Sequence, residues 1–450
     1  MQFGKSAVRK INGDAQVVLR GMLRAINDSR ADRLKKQLAA ASPVTWTGCR
    51  NSSRCRALMQ ACREGHLDCV NALLHQGPFT QLNACNSEGR TALMCAALSG
   101  TVDCINALLQ HDATSQLAAG DSAGWTALMH AATANHVKCV EALLQHDAST
   151  QLQDCDRRGY TALMLAAIRG HADCTKALLQ HAASTQVNDR NSIASGYTAL
   201  MCAAINGNAN CINELLQQDA SVQVNAHSTD GLTALMFAAL HGTGDCTNEL
   251  LQRDALSQLL ARDNHGMTAL MCAACTGNMD CMLALLQRDA SIQVNAQGSD
   301  GYTALMFAAY QGNVDCITAL LQQDASAQLN ARASTGSTAV MLAAAEGHLA
   351  CVSALLQQDA SSQLAASVDA GLTPLHVAVQ KGHRGVVRAL LAAGADPFVI
   401  ISQVDRVLFK EIIADVCQEA SMPHMLQSAL VDFAGHALVR TKTARSGKDI

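Results

Sequence analysis

Short apolar runs and polar connections alternate along this chain with a fixed period. Threonine opens nine of the ten clearest copies of the pattern, and Arg56 takes its place in the first copy. Consecutive threonines lie 35 residues apart, except for one step of 37 residues between Thr161 and Thr198. A constant period of this size predicts an array of stacked structural repeats. The threonines are Thr91, Thr126, Thr161, Thr198, Thr233, Thr268, Thr303, Thr338 and Thr373.

Each copy predicts two short helices separated by a glycine. In the copy that starts at Gly301, Thr303 precedes an apolar-periodic run, as an N-cap residue does, and Gly312 marks the turn. Neither helix is long enough to be stable alone, so each pair must pack against its neighbours. The apolar face of the second helix consists of Cys316, Ile317, Leu320 and Leu321.

The last copy carries the landmarks of a known family. Gly371, the run Thr373 to His376, Gly382-His383 and Gly394 to Asp396 follow one another in the order found in the ankyrin repeat, whose consensus opens with Gly-x-Thr-Pro-Leu-His. The chain resembles that family from about residue 56 to residue 398. The resemblance implies an all-α solenoid of stacked helix-turn-helix units connected by turn tips.

The other copies depart from the family pattern in two ways. Alanine and methionine replace the proline and histidine, as in the run Thr303 to Met306, so packing is expected to replace a hydrogen bond to the threonine. Two extra residues also lengthen the connection after the second helix, as in the run Asp324 to Asn330. We expect this connection to be a loop, and the last copy has the shorter form.

A glutamine recurs in each of these longer connections. We interpret it as a structural residue whose amide satisfies backbone groups that the connection leaves bare. A binding role is the alternative, but a position that never varies cannot by itself discriminate among partners. The glutamines are Gln81, Gln116, Gln151, Gln186, Gln223, Gln258, Gln293, Gln328 and Gln363.

Composition agrees with a long array of thin helices. The chain is 49% hydrophobic but 3% aromatic, and its formal net charge of −4 argues against a protein built mainly to hold nucleic acid. The sequence lacks a phosphate-binding loop, HExxH, GxSxG and a kinase motif set, so we expect a protein that is not an enzyme and needs no cofactor.

Nineteen cysteines raise the question of metal or disulfide chemistry. Nine fall in one column of the repeat, which predicts small apolar core residues, and neighbouring members lie too far apart for a disulfide. Cys272 and Cys275 form a CxxC pair without the second pair that a zinc site needs. A thiol-based sensor or metal binder remains the third alternative. The column is Cys69, Cys104, Cys139, Cys174, Cys211, Cys246, Cys281, Cys316 and Cys351.

Three segments follow from the pattern. Residues 1–55 form a basic N-terminal segment with a degenerate capping repeat at about 21–42, residues 56–398 hold ten repeats, and residues 399–450 form a helical cap or docking tail. No signal peptide and no run of ~18 apolar residues occurs, so we expect a cytoplasmic protein, with the nucleus as an alternative.

The aromatic residues single out a binding surface. The resemblance implies a concave face built from the turn tips, the residue before each threonine and the two residues after Ala-Ala. All four tyrosines and one of two tryptophans occupy these positions, which favours a protein interface. The alternative is that each ring merely covers its neighbour. These residues are Trp125, Tyr160, Tyr197, Tyr302 and Tyr310.

Arginines accompany the aromatics in the third to fifth repeats: Arg157, Arg158, Arg169 and Arg190. The two-residue insertion predicts that the tip at residues 190–195 protrudes. We expect this stretch to bind a protein segment that carries acidic groups, with no nucleic-acid or membrane partner.

Two function classes follow, and one deletion separates them. A scaffold binds its partner on the repeats alone, whereas an adaptor also recruits a ubiquitin ligase or kinase through residues 399–450. If the tail is a cap, its deletion should lower the melting temperature measured by circular dichroism. If the tail docks a partner, the same deletion should abolish one captured protein and leave the melting temperature unchanged.

Overall fold

The computed structural model describes most of the repeat array. The described residues are 19–40, 52–75, 84–111, 113–181, 195–217, 223–367 and 371–396, with residues 17, 82, 190 and 191. The predicted linker at residues 43–53, the tip residues 192–194 and the tail at 399–450 lie wholly or largely outside them. The chain divides into two compact units, residues 1–234 with 252–254 and residues 235–251 with 255–450.

The first unit is a stack of helix pairs, each with a first helix after the repeat threonine and a second helix after a turn. The segment before repeat 1 is also helical at residues 19–27 and Ala31–Ala40. The first helices of repeats 1 to 5 are Ser52–Glu64, Ala92–Ser99, Ala127–Thr133, Ala162–Arg169 and Ala199–Ile205. The second helices are Leu67–Leu74, Val102–Leu109, Val137–Leu144, Ala172–His181 and Ala209–Leu216.

The second unit repeats this arrangement. The first helices of repeats 6 to 10 are Ala234–His241, Ala269–Thr276, Ala304–Gln311, Ala339–Glu346 and Pro374–Lys381. The second helices are Gly244–Leu251, Met279–Val294, Val314–Asn330, Leu349–Ala365 and Arg384–Ala392. The described residues contain no β-strand, and an isolated antiparallel bridge joins Cys155 to Thr161. The fold is the all-α repeat solenoid that the sequence predicts. None of the described helices has the length and hydrophobicity required to cross a membrane.

The repeat threonine is a helix N-cap, as predicted. The hydroxyl of Thr161 accepts a hydrogen bond of 3.4 Å from the backbone N–H of Met164, which is one of the donors left free at a helix start. The first helix then ends at Gly170, whose φ of 75° lies in the left-handed region that favours glycine. The same cap bond occurs at Thr91, Thr126, Thr198, Thr268 and Thr303.

Methionine does more than fill the space of the missing histidine. In the last repeat, Nδ1 of His376 accepts a hydrogen bond of 3.1 Å from the backbone N–H of Thr373. In the second repeat, the sulfur of Met94 accepts from the N–H of Thr91 at 3.4 Å. The expectation that packing alone replaces this bond is therefore wrong for that repeat, because a thioether sulfur is itself a weak acceptor.

Small residues form the core between consecutive helix pairs. Ala96 and Ala97 of the second repeat are fully buried, and alanines at the same positions are buried through repeat 9. The nine cysteines of the column are also buried and none of them forms a disulfide, which confirms them as core residues. Burial raises the pKa of the Cys174 thiol to about 12, so this side chain remains protonated and behaves as an apolar group.

Polar side chains at the turn between the two helices bond each repeat to the one before it. Nε2 of His136 donates to the carbonyl oxygen of Leu98 at 3.1 Å, and the amide of Asn208 donates to that of Ala167 at 2.8 Å. In the second unit, Nε2 of His348 donates to the carbonyl of Tyr310 at 3.0 Å. These bonds satisfy carbonyl groups at the C-terminal end of each preceding first helix.

The extra residues after the second helix are helical, so the predicted loop is wrong. They form short third helices at Ala113–Leu117, Ala148–Gln153 and Ala255–Leu260. In repeats 7 and 8 they extend the second helix, as in Val314–Asn330. In repeat 9 the non-helical backbone of Asp359 kinks the helix Leu349–Ala365 before them. Leu117, Leu152, Leu259 and Leu329, which follow the repeated glutamine, are buried. This burial stabilises a turn of helix where the polar composition suggests a loop.

The repeated glutamine holds this third helix against the second, as the structural interpretation predicts. The amide of Gln151 donates to the carbonyl oxygens of Leu143 and His146, and Gln223 donates to Leu215 at 3.0 Å. Gln116, Gln258 and Gln328 bond the leucine eight residues earlier in the same way. In Gln293 the amide oxygen instead accepts from the N–H of Leu270 at 2.8 Å. Gln81 and Gln186 lie outside the described residues.

Gln151 and Gln153 provide a matched test, because one is buried and the other is exposed on the same short helix. Gln151→Met keeps the length of the side chain but removes its hydrogen bonds, so the free energy of unfolding should fall by about 1–3 kcal/mol. Gln153→Met should change it by less than about 0.5 kcal/mol. Urea denaturation measures both, and equal midpoints would contradict the structural role of Gln151.

Candidate functional site

In repeats 3 and 8, the residue before the repeat threonine packs against the fourth residue after that threonine. In repeat 3, the ring of Trp125 packs against the imidazole of His130 with centroids 5.3 Å apart. In repeat 8, Tyr302 packs against Phe307 at 5.5 Å. Trp125, Tyr160, Tyr197 and Tyr302 are half-buried rather than fully exposed. Trp125 and Tyr302 therefore cover a neighbouring ring and still present part of their surface.

Trp125 is fixed by the turn of the next repeat. Its indole N–H donates to Oδ2 of Asp156 at 3.1 Å, while Oδ1 of Asp156 accepts from the backbone N–H groups of Arg158 and Tyr160, both at 2.9 Å. One carboxylate thus orients the tryptophan of repeat 3 and closes the turn of repeat 4. This turn forms because an Asp side chain can bond its own backbone two residues on.

Tyr160 and Tyr197 are neighbours in successive repeats. Burial raises the pKa of the Tyr160 hydroxyl, and the nearby Cys202 and Tyr197 raise it further. The Tyr160 phenol therefore stays neutral at physiological pH and offers a hydrogen-bonding group beside an apolar ring. We call Trp125, Tyr160 and Tyr197 the aromatic strip of the first unit.

Three of the predicted arginines lie close to this strip in the sequence and are exposed. Arg157 and Arg158 stand in the turn of repeat 4, immediately before Tyr160. Arg169 is the last residue of the helix Ala162–Arg169. None of the three has a side-chain ion pair among the described residues. Their guanidinium groups therefore face solvent.

The fourth arginine, Arg190, is already engaged. Its guanidinium Nη1 donates to the backbone carbonyl of His227, one repeat further along, at 2.7 Å. Arg262 and Arg332 make the same bond to Gln297 and Ser367, at 2.7 Å and 2.8 Å. We call these three contacts the arginine bridges. They give Arg190 a structural role that the sequence analysis did not consider.

The remaining candidates, Tyr302 and Tyr310, belong to the second unit. Tyr310 is 46% exposed in the helix Ala304–Gln311, and it lies seven residues after Thr303. The residues before the threonines of the flanking repeats, Met267 and Ser337, are uncharged, and the acidic Asp300 occupies the position that Arg158 has in repeat 4. The predicted residues therefore form an arginine-rich set in the first unit and a separate, mainly apolar set in the second.

Further basic residues near the first repeat were missed by the sequence analysis. Arg56 and Arg63 line a cavity of about 600 Å³ together with Glu88, and Arg90 bonds Glu88 at 2.7 Å. Arg90 occupies the same position as Trp125 and Tyr160. The signal was present in the sequence, because both Arg63 and Arg90 fall at the positions used to select the aromatic residues.

A buried polar pair was also missed. His130 and Asp121 are both buried, and Nε2 of the imidazole lies 3.0 Å from Oδ2 of the carboxylate. His130 was not among the candidate residues of the sequence analysis, and it lies inside the helix Ala127–Thr133. Aligning the repeats by position would have found it, since the other threonine-led repeats have an apolar residue there.

The cysteines outside the column do not alter the picture. Burial raises the pKa of Cys272 to about 12, and its partner in the CxxC pair, Cys275, is half-buried. In the part of the chain that the structure describes, no three His, Cys, Asp or Glu residues are grouped so that they could hold a metal ion.

Comparison with known proteins agrees with the fold. No curated protein matches the chain. The family model described as "Ankyrin repeats (3 copies)" matches overlapping segments that extend together from residue 25 to residue 400. This span covers most of the 450 residues and begins within the helical segment before repeat 1. The chain therefore belongs to the ankyrin-repeat family.

Proposed function

We propose that the protein is a non-enzymatic, cytoplasmic scaffold that binds a protein partner on the concave face typical of its family. The observation that supports this most directly is the aromatic strip of Trp125, Tyr160 and Tyr197, accompanied by exposed arginines in a chain that is 3% aromatic. Tyrosine, tryptophan and arginine are the residues that most often carry binding energy in protein interfaces.

The strip is organised before any partner binds. The Asp156 carboxylate fixes both the Trp125 ring and the turn that carries Tyr160, at distances of 2.9 to 3.1 Å. The Trp125 ring also packs against His130 of its own first helix. Side chains that are already ordered lose little entropy on binding, so more of the contact energy contributes to affinity.

Charge defines the class of partner. Arg157, Arg158 and Arg169 present positive charge beside Tyr160, while the nearest carboxylate in the same turn, Asp156, is buried and hydrogen-bonded. Guanidinium groups bind carboxylates with paired hydrogen bonds, and the rings accommodate apolar side chains. The proposed partner is therefore a segment that carries both acidic and apolar residues.

Arg190 is assigned a supporting role in this proposal, because its side chain bonds the carbonyl of His227. Tyr302 and Tyr310 are proposed as a second, apolar contact in the other unit. The paired variants described below measure how much this contact and the aromatic strip each contribute to partner affinity.

Paired variants test the proposal. A partner is first identified by capture, its binding segment is mapped, and the dissociation constant is then measured by calorimetry. The double variant Tyr160→Ala, Tyr197→Ala should weaken binding at least about tenfold, since interface hot spots contribute more than about 1–2 kcal/mol each. The double variant Arg157→Gln, Arg158→Gln should weaken partner binding mainly at low salt, because exposed charges are least screened there.

The variant Tyr302→Ala, Tyr310→Ala removes the same two kinds of side chain from the second contact, so comparison of the two double variants measures the contribution of each set. Circular dichroism must show equal folding of both double variants. Unchanged affinity in the Tyr160, Tyr197 variant would remove the proposal for the first unit. Loss of affinity in the Tyr302, Tyr310 variant alone would move the site to the second unit.

A further inference from the structure

One histidine is buried at a position that is apolar in every other threonine-led repeat. His130 lies in the helix Ala127–Thr133 with 1% of its surface exposed. It is the fourth residue after its threonine, and a polar ring buried there must find partners or lose free energy. The residues at this position in the other eight repeats are Cys95, Leu165, Cys202, Phe237, Cys272, Phe307, Leu342 and Val377.

The imidazole has one partner and one buried nitrogen without a hydrogen-bond partner. Nε2 lies 3.0 Å from Oδ2 of Asp121, whereas Nδ1 has no hydrogen-bond partner among the described residues. The other oxygen of Asp121 accepts from the backbone N–H groups of Ala123 and Trp125, at 2.8 Å and 2.9 Å. Asp121 therefore fixes the histidine and the backbone of the tryptophan together.

Trp125 is held at three points as a result. Its backbone N–H donates to Asp121, its indole N–H donates to Asp156, and its ring packs against His130. We call Asp121, Trp125, His130 and Asp156 the His130 cluster. A change of charge on the imidazole acts directly on the side chain that the aromatic strip presents.

Several groups face the imidazole and set its charge. Burial lowers the pKa of His130, Asp121 raises it in part, and Arg90 and Glu88 of the preceding turn oppose each other. Burial disfavours ionisation of Asp121, but its hydrogen bonds from Trp125, Ala123 and His130 hold its pKa below the usual range.

The packed helices contribute no further charge. The flanking first helices have Cys95 and Leu165 at the position of His130, and both residues are buried. In the second helix Val137–Leu144, Lys138 and Glu141 are exposed to solvent. The pair therefore consists of a neutral imidazole and an ionised carboxylate at neutral pH.

We propose that the His130 cluster is a pH-dependent device that holds Trp125 in the aromatic strip at neutral pH and releases it when His130 is protonated. Protonation converts the unpartnered Nδ1 into an N–H donor that has no acceptor in its buried position. The imidazolium then moves toward solvent, and Trp125, which packs on it, moves as well. This inference concerns regulation of the site under the proposed function, but the movement itself requires no partner.

The contribution of His130 to the free energy of unfolding must decrease as the pH falls. The pKa of His130 is lower in the folded protein than in the unfolded chain, where it is about 6.5, so the unfolded chain binds more protons in acid. The stabilisation from the neutral pair is therefore fully present above about pH 6.5. It is lost as the pH falls from the unfolded value toward the folded one.

The experiment follows Trp125 directly. The chain has two tryptophans, so the Trp46→Phe variant of the full chain leaves Trp125 as the single emitter. Acrylamide quenching of its fluorescence is measured from about pH 8 to pH 5, the range in which histidine titrates. The quenching constant should rise with a midpoint below about pH 6.5 as the indole becomes accessible.

Three variants in this background provide controls that the chain itself supplies. His130→Leu and His130→Phe introduce residues found at the same position in repeats 4 and 8, and both should abolish the transition. Asp121→Asn retains the turn, because Asn86 bonds the N–H groups of Glu88 and Arg90 in the same way at 2.9 Å. Loss of the carboxylate should move the midpoint to lower pH, since Asp121 raises the pKa of His130.

A quenching constant that does not change with pH would overturn the proposal. So would a transition that persists with the same midpoint in both His130 variants. These outcomes leave the proposed function standing if the Tyr160, Tyr197 double variant still loses its partner. Conversely, a transition that depends on His130 supports the device even where partner affinity is unaffected by the aromatic strip.

Discussion

Close packing between alanine faces of consecutive first helices is the contact on which the rest of the structure depends. Ala131 and Ala132 are fully buried, as are Ala166 and Ala167 in the next repeat. Small side chains let neighbouring helices approach to about 8–10 Å, and that distance then sets the spacing of every other residue in the repeat. The positions of the threonine caps, of the turn hydrogen bonds and of the aromatic strip all depend on this distance between helices. A larger residue at these alanine positions would separate the helices and disturb all of these contacts together.

The fold could be predicted from the sequence because each repeat has the same helix start, helix end and apolar face at the same positions. The period identified the stack, Thr161 marked a helix start, and Gly170 marked its end. The third helices could not be predicted in this way. Their polar residues favour a loop when read locally, and their stability depends on burial of Leu152 and on bonds from Gln151 to the second helix. Tertiary contacts of this kind are invisible to a local pattern.

The candidate site was only partly predictable, for a related reason. Position in the repeat predicts which residues reach the surface, and Arg158 is exposed while Tyr160 is half-buried. It could not show that Arg190 bonds a carbonyl of the next repeat, because every residue has a carbonyl group and none is marked in the sequence. The role of Asp156 was hidden likewise, since it joins a turn to a ring 31 residues away. Comparison of each repeat position across the array would have revealed His130.

The arginine bridges alternate along the array, so that each bridge joins one pair of consecutive repeats. Arg190, Arg262 and Arg332 precede repeats 5, 7 and 9, and the carbonyl groups that receive them precede repeats 6, 8 and 10. Removal of one repeat from this region would set two guanidinium groups side by side or leave a receiving carbonyl without its donor. Removal of two adjacent repeats would preserve the alternation. In this region the unit by which the chain can be shortened or lengthened without a change of contacts is therefore the 70-residue pair rather than the single repeat.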